Sequence, residues 1–124
     1  MIEFMEGSIG RIVGLRATGR LKEADYRDLL PKLEELFRQH GKLDLLFYMD
    51  EGFEGWDMQA AWDDASFGFS HAGDFERLAV VGAPAWVNWC IRLSSFLFKC
   101  EVRIFPGEAL EEAWGWVKGA SVVI

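Results

Sequence analysis

The chain has 124 residues, about half of them apolar, with 15% aromatic, six Trp and a net charge of −7. That length fits a single domain spanning residues 1–124 with a core of its own, and the composition excludes a disordered tail or a disulfide scaffold. The charge is concentrated in the middle: Met1–Lys42 carries +1, Leu43–Glu76 carries −9 with no Lys or Arg, and Arg77–Ile124 carries +1. No cationic track invites nucleic acid, and no basic patch attracts anionic lipid.

The first element expected is a hairpin. Ile2 and Phe4 alternate with polar neighbours, Glu6-Gly7-Ser8 supplies a turn, and Gly10–Ala17 follows as the second strand. Gly14 inside that strand predicts a bulge or the close approach of a neighbour. From Lys22 to His40, Tyr26, Leu29, Leu30, Leu33, Leu36 and Phe37 recur at helical spacing and Gly41 supplies the stop. Pro31 removes a donor inside this helix, so a kink or a restart is expected there.

Leu43–Asp57, LDLLFYMDEGFEGWD, is the stretch around which the rest is organised. Its apolar run reads as a central strand buried on both faces, and its acidic, glycine-punctuated end reads as a turn at the rim of an α/β sheet, where such folds place ligands. A helix is expected from Asp57, with Met58, Ala61, Trp62, Ala65 and Phe69 on one face. Arg77–Gly82 is a second central strand.

Pro84–Phe98 is the most unusual segment. As a helix it would carry Trp86, Trp89, Cys90, Leu93, Phe96 and Leu97 on one broad side, with Val87, Ile91 and Phe98 beyond. A helix on one layer needs an apolar stripe little wider than 100°, so the excess calls for a neighbouring helix, a second subunit, an apolar ligand or a membrane surface. Cys100–Phe105 alternates like an edge strand, Pro106-Gly107 turns the chain, and Glu108–Lys118 closes it as a helix burying Leu110, Ala113, Trp114 and Val117. The predicted fold is therefore α/β, a mixed, mostly parallel sheet of about five strands with about four helices.

Catalytic signatures are weak. Gly52 and Gly55 match neither phosphate-binding glycine pattern, and Glu51 and Glu54 would repel a phosphate. The acidic residues and His71 lack the spacing that gathers metal ligands, and no Ser or Cys stands in a nucleophile setting. Cys90 and Cys100 read as reduced core thiols. The chain reads as non-enzymatic, without cofactor or metal. MIEFMEG lacks a basic region followed by a long apolar run, and no apolar run reaches the length of a membrane span, so the expected location is cytoplasmic.

Three strings, FEGWDMQAAWDD, ERLAVVG before a Trp-bearing segment, and VRIFPGEALEEAWGWV, resemble the SpoIIAA-like family, relatives of the STAS domains of anti-sigma-factor antagonists. The resemblance runs from Ile2 to Val117. It implies a small α/β domain whose first strand is antiparallel, and a binding module switched in STAS domains by phosphorylation of a Ser or Thr after the third strand. Here that position reads Asp50-Glu51-Gly52-Phe53, without a hydroxyl, so the switch does not carry over. Similar proteins imply binding of an apolar small molecule or lipid, or peripheral membrane association, with helix movement exposing Trp86, Trp89, Leu93 and Phe96.

Two sites follow as expectations. An apolar ligand would be walled by Phe53, Trp56, Trp62, Trp86, Trp89, Leu93 and Phe96, residues that a core and a homodimer seam would explain equally well. A protein partner would dock at Asp50, Glu51, Glu54 and Asp57.

Overall fold

The computed structural model describes residues 1–57, 66, 75–85 and 101–118. Five strands form one sheet in the order β1-β2-β3-β4-β5: β1 (Ile2–Phe4), β2 (Ile12–Leu21), β3 (Leu43–Trp56), β4 (Phe75–Val81) and β5 (Glu101–Phe105). Only β1 runs antiparallel, pairing Ile2 with Ala17 and Phe4 with Leu15. The other three pairings are parallel. The sheet is mixed and mostly parallel, and the hairpin that starts it is as expected.

Parallel strands need both faces covered. Helix α1 (Glu23–His40) lays Tyr26, Leu29, Leu33 and Phe37 against Val13, Leu15, Ala17, Leu43, Leu45, Met49 and Val80. On the opposite face, a 3-10 turn at Gly107–Ala109 leads into α2 (Leu110–Lys118), whose Ala113 and Val117 pack on Leu46, Ala79, Val81 and Phe105. The two-residue period of β3 divides its side chains between these cores. In β4 an irregularity in pairing between Leu43 and Asp44 leaves Glu76 out of register, which lets Phe75 and Leu78 both face α1.

Pro31 does not break α1, which runs as a single helix to His40. An interior proline costs about 3 kcal/mol. Each of the four buried side chains flanking it returns about 1.5–3 kcal/mol, so packing decides the matter. Gly41 N–H donates to the Phe37 carbonyl at 2.7 Å and ends the helix as expected.

Gly14 is a close-approach position. A β-carbon there would lie 2.3 Å from Cη2 of Trp114 and one at Gly7 3.0 Å from the same ring. The indole of α2 is thereby seated on the hairpin. Gly82, with φ of 76°, brings the end of β4 so near β3 that a β-carbon would meet the Met49 carbonyl oxygen at 2.4 Å. The predicted helices after Asp57 and over Pro84–Phe98 fall largely outside the described residues.

Candidate functional site

The acidic segment Asp50–Asp57 is not the turn expected of it. β3 continues through it to Trp56, pairing Phe53 with Gly19, Gly55 with Arg20 and Trp56 with Leu21. Register shifts around Ala17, Gly19 and Arg20, with Gly55 at φ of 109°, show why acid and glycine misled. A bulged strand needs the same residues as a turn. β4 pairs with β3 only as far as Tyr48, so from Met49 onward β3 and the end of β2 project as a two-stranded ribbon.

One side of the ribbon is apolar. Phe53 and Trp56 meet edge to face with ring centroids 5.0 Å apart, both half-buried against the α1-side core. The Trp56 indole Nε1–H donates to the Tyr26 hydroxyl at 2.8 Å, tying the ribbon to the first turns of α1. These two predicted wall residues are brought together, and they already have neighbours. Trp62, Trp86, Trp89, Leu93 and Phe96, the remainder of that wall, lie outside the described residues.

The other side carries ion pairs. Arg16 Nε donates to Asp50 Oδ2 at 2.8 Å and the Gly52 N–H to Asp50 Oδ1 at 2.9 Å, and the carboxylate also accepts from the Thr18 hydroxyl. Burial alone would raise the Asp50 carboxyl, but these donors outweigh it and hold the group below its usual value. Arg20 Nε pairs in the same way with Asp57, at a more exposed position. An exposed pair contributes at most about 1 kcal/mol. Lower on the same seam, Arg11 pairs with Asp44.

Of the four predicted docking residues, Asp50 and Asp57 are thus engaged within the fold. Glu51 and Glu54 are exposed, with no hydrogen-bond or ion-pair partner among the described residues. Sequence reasoning missed Arg16, Thr18 and Arg20 as their neighbours. The signal was present as three arginines in the second strand region facing three aspartates in the third, and it becomes readable only with the parallel register in hand.

The strand order also bears on where a ligand would sit. In open α/β sheets the crevice lies where strand order reverses. Here β2 to β5 follow one another without reversal, so the described sheet has no such switch point. Among the described residues no three His, Cys, Asp or Glu side chains are gathered to hold a metal ion, and no helix is long and apolar enough to cross a membrane.

A sequential mixed sheet with an antiparallel first strand and a helix on each face defines a small STAS-like α/β domain. The SpoIIAA-like family model matches residues 12–118, and the chain belongs to that family. A crystal structure of an uncharacterised protein of the DUF3478 family from Shewanella loihica PV-4, described as having a SpoIIAA-like fold, is similar with a TM-score of 0.72. It is 24% identical, over 94% of this chain and 92% of that one, a likeness of fold. Comparison with curated proteins finds no match.

Proposed function

We propose that this chain is a non-enzymatic STAS-like binding module that takes an apolar small molecule or lipid, or rests peripherally on a membrane, through the Trp-rich segment Pro84–Phe98. The observation that carries this reading is the composition of that segment, where nine of fifteen residues are Trp, Phe, Leu, Ile, Val or Cys at spacings that would cover more than one helical side. The engagement of Asp50 by Arg16, Thr18 and Gly52, and of Asp57 by Arg20, supports a binding role over a catalytic one. Asp50, held below its usual value, is a hydrogen-bonded acceptor rather than a group poised to move a proton. Because the chain is acidic overall, attachment to a bilayer would rest on apolar insertion.

The test is native mass spectrometry of the freshly purified protein, with the intact assembly compared against the denatured chain. An additional mass lost on denaturation is the expected result and reports the ligand class. A homodimer of bare chains would assign the apolar segment to subunit contact instead. A bare monomer that also fails to float with neutral phosphatidylcholine vesicles would overturn both. A protein partner at the rim is the second reading, favoured only by the exposed Glu51 and Glu54.

A further inference from the structure

Asp44 and Asp50 stand on the same strand and the same face, and each side chain is 7% exposed. Their surroundings differ in one respect. Both oxygens of Asp50 accept hydrogen bonds, whereas Asp44 receives only Arg11 Nε, at 3.1 Å on Oδ2. Asp44 Oδ1 is buried with no hydrogen-bond partner among the described residues.

The charged groups facing Asp44 are Arg11 from the turn before β2, and Glu76 and Arg77 from β4. Arg77 makes no hydrogen bond to the bare oxygen. Its Nη1 donates to the Trp116 carbonyl at 2.6 Å, and its guanidinium lies over the Trp116 ring at 5.3 Å. Glu76 repels a carboxylate. Arg11 is itself 47% exposed, so solvent screens its attraction, whereas the Asp44 side chain is largely enclosed.

A buried carboxylate with one unmatched oxygen is held against its own solvation. Burial accordingly pushes the Asp44 carboxyl above its usual value, beyond what Arg11 draws back. We propose that Asp44 is a proton-operated latch at the base of the sheet: one proton from water settles on Oδ1 and removes the buried charge, while Oδ2 still accepts from Arg11. The backbone bond from Asp44 N–H to the Arg11 carbonyl, 2.9 Å, keeps the turn before β2 in place throughout. For an acid favoured in its protonated form by folding, the stabilisation is complete below the unfolded value of about 3.9 and is lost as pH rises through the folded value. Acidification into that window therefore stabilises the fold as a whole, although it gives up the charge of the Arg11 pair.

Carboxyl carbon NMR of the wild-type protein tests this directly. Asp44 should titrate above about 3.9, and a midpoint at or below that value would overturn the latch. Thermal unfolding supplies the second arm. As pH falls from neutrality, the melting temperature of the wild type should gain on that of Asp44→Asn, which has no proton to bind. Arg11→Met should steepen the wild-type trend by leaving the carboxylate without its donor. A difference between wild type and Asp44→Asn that stays constant with pH would sink the proposal.

Discussion

At the scale of single residues, two aspartates with equally enclosed side chains illustrate how neighbours decide whether burial prevails. Asp50 has Arg16, Thr18 and Gly52 on its oxygens and is held below the usual carboxylate value. A lowered folded value means that its stabilisation is present above the unfolded value of about 3.9 and is lost as pH falls through the folded one. Asp50→Asn should therefore unfold at lower urea than the wild type at neutral pH, and the gap should close in strong acid. A gap independent of pH would show that the hydrogen bonds to Asp50 do not depend on its charge. The expected sign is opposite to that at Asp44. Composition alone could not separate the two, because both are single aspartates after apolar residues in one strand.

At the scale of elements, α2 is positioned by an absence of side chain. Trp114 occupies the space over Gly14 and Gly7, and its ring is flanked by the Lys118 ammonium at 4.9 Å. Gly14→Ala would place a methyl group within 2.3 Å of the indole, so the helix or the hairpin must shift. The expected loss is about 1–3 kcal/mol, the usual range for overpacking. Urea unfolding and the near-ultraviolet circular dichroism of the indole would register it, and an unchanged midpoint would mean that the ring swings aside freely. Gly14 was legible in the sequence as a close approach, since a glycine inside an apolar strand has few other reasons. The identity of its neighbour was not, because Trp114 lies a hundred residues later.

The same contrast explains the rim. Leu43–Met49 was readable as a central strand because an apolar run between turn signals has one common interpretation. Asp50–Trp56 was not, because the glycines that permit a turn also permit a bulge, and the deciding partners Arg16 and Arg20 belong to another strand. The α1 stripe of Tyr26, Leu29, Leu33 and Phe37 was legible from its period, yet the survival of the helix across Pro31 depended on that stripe being buried. Local rules set the elements, and tertiary contacts set their lengths.

At the scale of the whole molecule, the mixed sheet and its first antiparallel pairing agree with the architecture that three short strings implied. The proposed role rests on Pro84–Phe98, and its two main occupants are separable in solution. Trp89→Asp or Leu93→Asp should convert a dimer to monomer in sedimentation if a second copy covers the segment. If an apolar ligand covers it instead, the same variants should keep the wild-type mass of assembly and lose the bound mass. Variants unchanged in both respects would count against the segment as a contact of either kind.

The sheet is laid down in the order in which the chain is written, each strand beside the one before it. During synthesis the hairpin, α1 and β3 can therefore pair as they emerge, without waiting for distant sequence. α2 is the exception. Its Trp114 rests on the first hairpin while its Trp116 ring lies 6.0 Å from that of Phe105 in the last strand. α2 is thus a clasp that joins the first hairpin to the last described strand across one face of the sheet.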